Sequence, residues 1–244
     1  MATSAKQFEV EFLRKEKVAK DAYSFHFKRP PEFNFIAGQF IRLILKVQNP
    51  DERGSARFFS IASSPTEKDF VMMVTRAIKS SFKKTLLEME KGTKVKIAGP
   101  YGKFILQVNP KTTHVFLAGG IGITPVRSII RFCADTNRAF PIVLFTSFRT
   151  VEDMIFKKEF DDLSSRYSWL KLVQTITRPE ESITSWPGLV GRINKELILK
   201  YLKNLSNCLF YISGPPQMVD NIQQEITSLG VEESSINTER FTGY

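Results

Sequence analysis

The hydrophobic period of this 244-residue chain changes near residue 110. Before that point apolar residues recur at every second position. QFEVEFL puts Phe8, Val10 and Phe12 on one face, and YSFHFK puts Tyr23, Phe25 and Phe27 on one face with Ser24, His26 and Lys28 opposite. QFIRLILKV, RFFSIAS, FVMMVTRA and KVKIAGP continue the pattern, and RPPEF, NPDERGS and SSPTEKD break it with turn residues. A period of two belongs to a half-buried strand. Six short strands with one helical insert, SFKKTLLEMEKG, predict a small antiparallel six-stranded β-barrel over residues 1–110.

Beyond residue 110 the chain alternates strand and helix. HVFLAG, PIVLFTS, LKLVQTIT, CLFYISG and INTERF read as five strands, and the intervening segments carry helical spacing. Thr124 with Pro125 reads as the N-cap and first position of a helix whose core face is Val126, Ile129, Ile130 and Cys133. Thr150 reads as the next cap, with Asp153 as its capping-box partner, and Asn194 opens a further helix. Gly230 reads as a helix stop. This alternation predicts a parallel five-stranded, doubly wound α/β domain over residues 111–244, with the boundary near NPKTT. The fold class is therefore two-domain, β followed by α/β.

In such a sheet ligands bind outside the carboxyl ends of the strands. That edge collects Gly119–Thr124, Ser147–Thr150, Thr177–Arg178 and Ser213–Pro216. FLAGGIGITP has the strand–turn–helix form of a phosphate site, but its Gly-Gly-x-Gly-x-Thr-Pro spacing is not the usual Gly-x-Gly-x-x-Gly fingerprint.

Composition narrows the chemistry. Two cysteines, Cys133 and Cys208, are too few for an iron–sulfur cluster, and read as buried free thiols. His26 and His114 each stand alone in a strand pattern, so no metal site is expected. Redox chemistry here would need an organic cofactor. No apolar run approaches the length of a membrane span, and the N-terminus lacks a signal-peptide block, so a cytoplasmic protein is expected. The formal net charge is +10, and it is uneven. Residues 1–110 carry 20 Lys and Arg against 11 Asp and Glu, whereas residues 111–244 carry 15 against 14. A solvated surface accounts for such a bias, as does an anionic cofactor, an acidic partner or nucleic acid. No nucleic-acid motif accompanies it, so a basic nucleic-acid-binding module ranks last.

Four segments in order, RFFS, a phosphate-side segment ending in GPYG, AGGIGITP, and SGPPQM with the tail ERFTGY, resemble the ferredoxin–NADP reductase superfamily over nearly the whole chain. The resemblance implies that the barrel binds FAD and that the α/β domain binds NADPH or NADH, with a lean towards NADPH. Arg57-Phe58-Phe59-Ser60 is similar to the family's Arg-x-Tyr-Ser. It implies a flavin phosphate on Arg57, a ring stacked on Phe59 in place of Tyr, and Ser60 at the flavin N5 edge. Gly38-Gln39-Phe40 resembles a Pro-Gly-Gln element near the flavin, with Ala37 for Pro. Val74, Thr75 and Arg76 would line the ribityl and phosphate side, and Ser81, Lys83 and Thr85 would open a helix at the diphosphate.

In the second half, the resemblance implies that Gly119, Gly120 and Gly122 let the backbone approach the nicotinamide nucleotide, with Thr124 and Pro125 beside it. Gly214-Pro215-Pro216-x-Met218 resembles the family's Cys-Gly-Pro-Pro-x-Met, with Ser213 for the cysteine. Ser60, Ser213 and Glu239 would orient the nicotinamide and stabilise charge. Phe241 would cover the flavin face, with Tyr244 as the alternative cover. Arg178 and Arg149 would meet the adenosine 2′-phosphate. The implied function is hydride transfer from NAD(P)H to flavin and then electron transfer to a separate acceptor, a ferredoxin or flavodoxin, by a monomer that binds neither membrane nor nucleic acid. A reductase of free flavin, ferric iron or another small acceptor is the alternative.

Overall fold

The computed structural model describes residues 6–76, 80–109 and 111–242. The first half forms β1 (Gln7–Ala19), β2 (Ala22–Lys28), β3 (Phe40–Ile44), β4 (Ala56–Ser60), β5 (Phe70–Arg76), helix α1 (Ser81–Leu87) and β6 (Lys94–Tyr101). The six strands make one antiparallel sheet in the order β4-β3-β6-β1-β2-β5. Just past β4 the amide of Ala62 donates to Met72 O of β5 at 2.7 Å, which brings the two edges of the sheet together as a barrel. The alternation seen in sequence fills the interior: Phe8, Val10, Phe12, Phe25 and Phe27 are all buried in one cluster. Ser80 caps α1, accepting from the Lys83 amide at 3.2 Å.

The second half forms β7 (Thr113–Gly119), α2 (Ile123–Asp135), β8 (Ile142–Phe148), α3 (Lys157–Arg166), β9 (Leu170–Ile176), β10 (Leu189–Val190), α4 (Lys195–Tyr201), β11 (Cys208–Gly214), α5 (Pro216–Ser228) and β12 (Ile236–Arg240). The sheet is parallel in the order β10-β9-β8-β7-β11-β12. Alternate residues of β7 feed opposite layers. Phe116 and Ala118 pack with α2 and α3, whereas Val115 and Leu117 pack with α4 and α5. This is the doubly wound arrangement, and the order of connection reverses between β7 and β11. No helix among the described residues is long and apolar enough to cross a membrane.

Three expectations are corrected. The sheet has six strands rather than five, because Leu189–Val190, inside a segment read as a loop, pairs with Thr175 and Ile176. A two-residue strand is too short to show a period. Thr124 is not an N-cap: a 3-10 turn over Gly120–Gly122 runs straight into α2, and the Thr124 hydroxyl donates back to Ile121 O at 2.8 Å. Thr150 heads only a 3-10 turn over Val151–Asp153, and α3 starts later, behind Phe156 at φ 60°. Asn194 does cap α4, accepting from Leu197 N at 2.9 Å, and Gly230 sits at φ 84° just past α5. Both cysteines are buried free thiols, pushed up to about 11 by burial.

Candidate functional site

A pocket opens where the end of β4, the end of β5 and α1 meet the glycine turn after β7 and the segment after β12. Its barrel wall is Arg57, Phe58, Phe59 and Ser60 from β4, then Val74, Thr75 and Arg76 from β5, then Lys83 from α1. Ile121, Thr124, Phe241 and Thr242 close it from the α/β half. Ten residues singled out from sequence thus meet in one cavity contributed by both halves.

One wall is cationic. Arg57 is largely buried, donates to the carbonyls of Arg53, Gly54 and Ala56 at 2.8 Å each, and pairs with Asp51. Arg76 pairs with Asp153 of the other half at 3.0 Å. Lys83 has no carboxylate partner among the described residues. Burial, together with Arg53, Arg57 and Arg76 around it, holds its ammonium down to about 8. Two carboxylates face four cations here, and an anion would relieve the excess. Beside the cations the lining is aromatic: Phe59 of the same strand stacks on Phe82 at 6.1 Å, and Phe241 faces the pocket from the α/β half. A cationic cradle beside an aromatic slot is the donor set that a flavin dinucleotide needs, a diphosphate on guanidinium forks and a ring between apolar faces.

Beside the pocket, the Ser60 hydroxyl donates to Glu239 Oε1 at 3.5 Å. Burial pushes the Glu239 carboxyl up to about 7 against the lowering effect of that bond, and its Oε2 is buried without a partner. A buried carboxyl poised near neutrality with a free oxygen is chemically suited to hold or exchange a proton.

The glycine turn is shaped by close backbone approach. A Cβ at Gly122 would lie 2.2 Å from the Ser213 carbonyl oxygen, so only glycine lets the turn cross β11. Gly120, at φ 53°, faces open space, with an Arg76 nitrogen 3.8 Å from a would-be Cβ. Gly119 gives way to the Met218 sulfur, and Gly214, at φ 158°, packs on the backbone of Gly119. Met218 therefore supports the turn from beneath, and Pro215 and Pro216 start α5 beside it.

The remaining expected residues lie elsewhere. Ser213 is fully buried and its hydroxyl donates to Gly122 O at 2.8 Å, so it is turned into the fold and away from the pocket. Thr85 bonds back to Ser81 O at 3.0 Å, while the Ser81 hydroxyl is buried and unpartnered; neither lines the cavity. Gly38, at φ 99°, packs against Phe104 O, and Gln39 ties Ile36 to Gly102, which makes that element a turn support. Pro125 is buried inside α2. Arg149 and Arg178 are exposed at the sheet edge, joined by an Arg178 N to Arg149 O bond of 2.8 Å, and Arg178 also pairs with Glu181 at 3.0 Å. Tyr244 lies outside the described residues. Sequence reasoning missed Arg53 and Ser80, which line the pocket. Ser80 carried a signal, the Ser-x-x-Lys start of a helix; Arg53 sat in a turn and carried none.

Comparison with known proteins agrees with this architecture. The family described as oxidoreductase FAD-binding domain matches residues 9–105, and that described as oxidoreductase NAD-binding domain matches residues 116–224. The chain is similar to the phenol hydroxylase P5 protein of Acinetobacter pittii, 29% identical over 216 residues, which are 87% of this chain and 59% of that protein. It is also similar to the glycine betaine monooxygenase reductase subunit of Chromohalobacter salexigens, 28% identical over 221 residues, with 90% and 59% covered. It thus spans about three fifths of the length of these curated relatives. In fold it matches a ferredoxin NADP+ reductase from Neisseria gonorrhoeae with TM-score 0.80 and 23% identity, covering 97% of this chain and 99% of that one. With both domain families matched in order across the barrel and the α/β domain, the chain belongs to the ferredoxin–NADP reductase superfamily of flavoprotein oxidoreductases.

Proposed function

We propose that this chain is an FAD-dependent NAD(P)H oxidoreductase, with a flavin barrel over residues 1–110 and a nucleotide domain over 111–244, that serves a separate electron-accepting protein. The observation that carries the reading is the shared pocket, in which the Arg57–Ser60 strand faces Thr124 and Phe241. When bound, the flavin supplies the chemistry that turns one two-electron donor into single-electron output.

The chain's own residues bind, align and shield. Arg57, Arg53 and Lys83 hold the diphosphate, and the forked guanidinium of Arg57 is pre-aimed by three backbone carbonyls and Asp51. Phe59 and Val74 hold the ring from the barrel side. Phe241, fixed at its backbone by an amide bond to Gly214 O at 2.9 Å, fills the place where a nicotinamide must lie, so its ring has to move aside. The open face of Gly120 and the nitrogen of Arg76 receive the dinucleotide. Glu239, hydrogen-bonded to Ser60, holds a proton at its carboxyl beside the reacting rings. Ser213 acts from beneath, by fixing the turn through Gly122 O. The protein thereby contributes alignment and electrostatics rather than a nucleophile.

NADPH is the proposed donor, supported by Arg149 and Arg178 side by side at the sheet edge. The acceptor is proposed to be an acidic ferredoxin or flavodoxin, supported by the basic excess of the barrel half. Neither cysteine is placed to carry a cluster, since both are buried and lie in separate core clusters. The reading is tested by denaturing the purified, FAD-reconstituted chain and identifying what is released. One FAD per chain is expected, and FMN or no flavin contradicts it.

A further inference from the structure

The two halves meet along α2 in a buried charged cluster outside the pocket. Arg127 is 7% exposed and does not line the cavity. Its Nη1 donates to Ala62 O at 2.8 Å and to Glu67 Oε2 at 3.0 Å, and its Nη2 donates to Glu67 Oε1 at 3.2 Å. Its Nε donates to Glu159 Oε2 at 2.8 Å, and the Phe156 ring covers the guanidinium at 5.0 Å. Ala62 and Glu67 belong to the barrel half, whereas Glu159 belongs to α3. Burial works against the charge, but Glu67 and Glu159 outweigh it and hold the guanidinium above its ordinary range. A two-pronged grip on a carboxylate is the geometry that a planar guanidinium makes and an ammonium does not.

Arg127 belongs to a stripe. Thr124, Arg127, Ser128, Arg131 and Asp135 follow one another along α2 at helical spacing, on the side that meets the barrel. Thr124 heads the stripe in the pocket. Next to Arg127, the Ser128 hydroxyl donates to Ser63 O at 2.6 Å. At the far end, Asp135 accepts from the Thr66 hydroxyl at 2.5 Å and pairs with Arg131 at 2.9 Å. The barrel side of this seam is the segment that runs on from Ser60. Ile61, Ala62, Ser63 and Ser64 are all buried. The Ala62 amide is held by Met72 O, the Met72 amide donates to Ser63 Oγ at 3.0 Å, and the Ser64 amide donates to Glu67 at 2.6 Å. That segment therefore has little freedom of its own. Ser60 stands two residues before the carbonyl that Arg127 grips, and Thr124 stands about one helical turn before Arg127 itself.

A buried ion network adds little net stability, because desolvation offsets its attraction, but it fixes register, because only one geometry satisfies every member. Arg76 with Asp153 also crosses between the halves, yet that pair starts in the pocket wall, where a bound phosphate competes for the guanidinium. Arg127 is out of reach of such competition. We propose that Arg127 is a positioning residue for hydride transfer: by clasping Ala62 and Glu67 it sets the register between the Ser60 strand and the Thr124 turn, and so the approach of nicotinamide to flavin. This rests on the flavoprotein reading, because the register matters only if the two rings meet in this pocket. A residue in that role acts on the rate once both ligands are bound, and leaves the binding of each to the groups that touch it.

The test compares FAD-loaded variants by anaerobic mixing with saturating NADPH or NADH, whichever bleaches the parent faster. Glu67→Gln breaks the pair across the seam, and Glu159→Gln breaks a pair on the same guanidinium within the α/β half. Glu67→Gln should slow bleaching by about 10- to 100-fold, the cost of a misplacement of about 1 Å. It should also weaken the long-wavelength absorbance band that stacked nicotinamide and flavin rings give. The dissociation constants of FAD and of the nucleotide, measured by calorimetry, should stay nearly unchanged. Glu159→Gln should lower the melting temperature too, yet bleach at close to the parent rate. Ser128→Ala, which loses one bond across the seam and no charge, is the milder variant and should slow bleaching in the same way. Equal slowing in Glu67→Gln and Glu159→Gln, or a loss of affinity that accounts for the slowing, would make Arg127 a structural cation only. Parent-like bleaching in both Glu67→Gln and Ser128→Ala would overturn the proposal as well. A parent that neither nucleotide bleaches would instead overturn the flavoprotein reading itself.

Discussion

The Ser60 hydroxyl donates to Glu239 Oε1 at 3.5 Å, joining β4 of the barrel to β12, the last strand of the α/β domain. Burial at that contact makes Glu239 a titrating group of the interface. Its carboxyl is raised by burial from 4.5 to about 7. The folded state therefore holds more protons than the unfolded state between these values, and stability falls as pH rises through that window. Glu239→Gln should remove the effect. The melting temperature of the parent should drop from pH 5 to pH 8 by more than that of the variant. Parallel curves for the two proteins would show that Glu239 does not titrate in this range.

Arg57→Ala should release FAD. A charged hydrogen-bonding group contributes about 1.5–3 kcal/mol, so the dissociation constant should rise by about 10- to 100-fold. Nicotinamide nucleotide binding to the same variant should change less. Equilibrium dialysis separates the two, and an unchanged FAD affinity would move the diphosphate to Arg53 and Lys83.

Phe241 occupies the pocket from the nucleotide side. Phe241→Ser should strengthen binding of the oxidised nicotinamide nucleotide, measured by difference spectroscopy, by about tenfold, the scale of one displaced aromatic side chain. Removing only residues 242–244 should do less. The opposite ranking would give the covering role to Tyr244.

Arg178→Ala separates the two donors. Loss of one cation facing a 2′-phosphate should reduce kcat/KM for NADPH by about tenfold or more and leave NADH nearly unaffected. Equal losses with both would place Arg178 in a local ion pair with Glu181 alone.

Much of this architecture was legible in the sequence, and the reasons differ by region. Phe8, Val10 and Phe12 alternate because one face of β1 is buried, and that pattern survives translation into structure without distortion. Helix entry was less legible. Thr124-Pro125 looks like a cap, yet the glycine turn before it already satisfies helical geometry, and the hydroxyl turns back to Ile121. Thr150 misled for the same reason, because a short 3-10 turn uses the cap and Phe156 restarts the helix. Motif spacing singled out Arg57, Ser60 and Phe241, which meet in one pocket, and Glu239, which lies beside it. It did not reveal where a hydroxyl points: Ser213 occupies the expected position and faces Gly122 instead of the pocket. Side-chain direction depends on which backbone carbonyl lies within reach, and Gly122 comes close only because it lacks a Cβ.

The most direct measurement of the central claim is anaerobic mixing of the FAD-loaded chain with NADPH, and separately with NADH, while the visible absorbance of the flavin is followed. Binding and alignment by one pocket built from both halves require rapid, complete bleaching by at least one of the two, and return of colour when a ferredoxin or a quinone is added. A chain that retains stoichiometric FAD yet stays oxidised with both nucleotides would contradict the account.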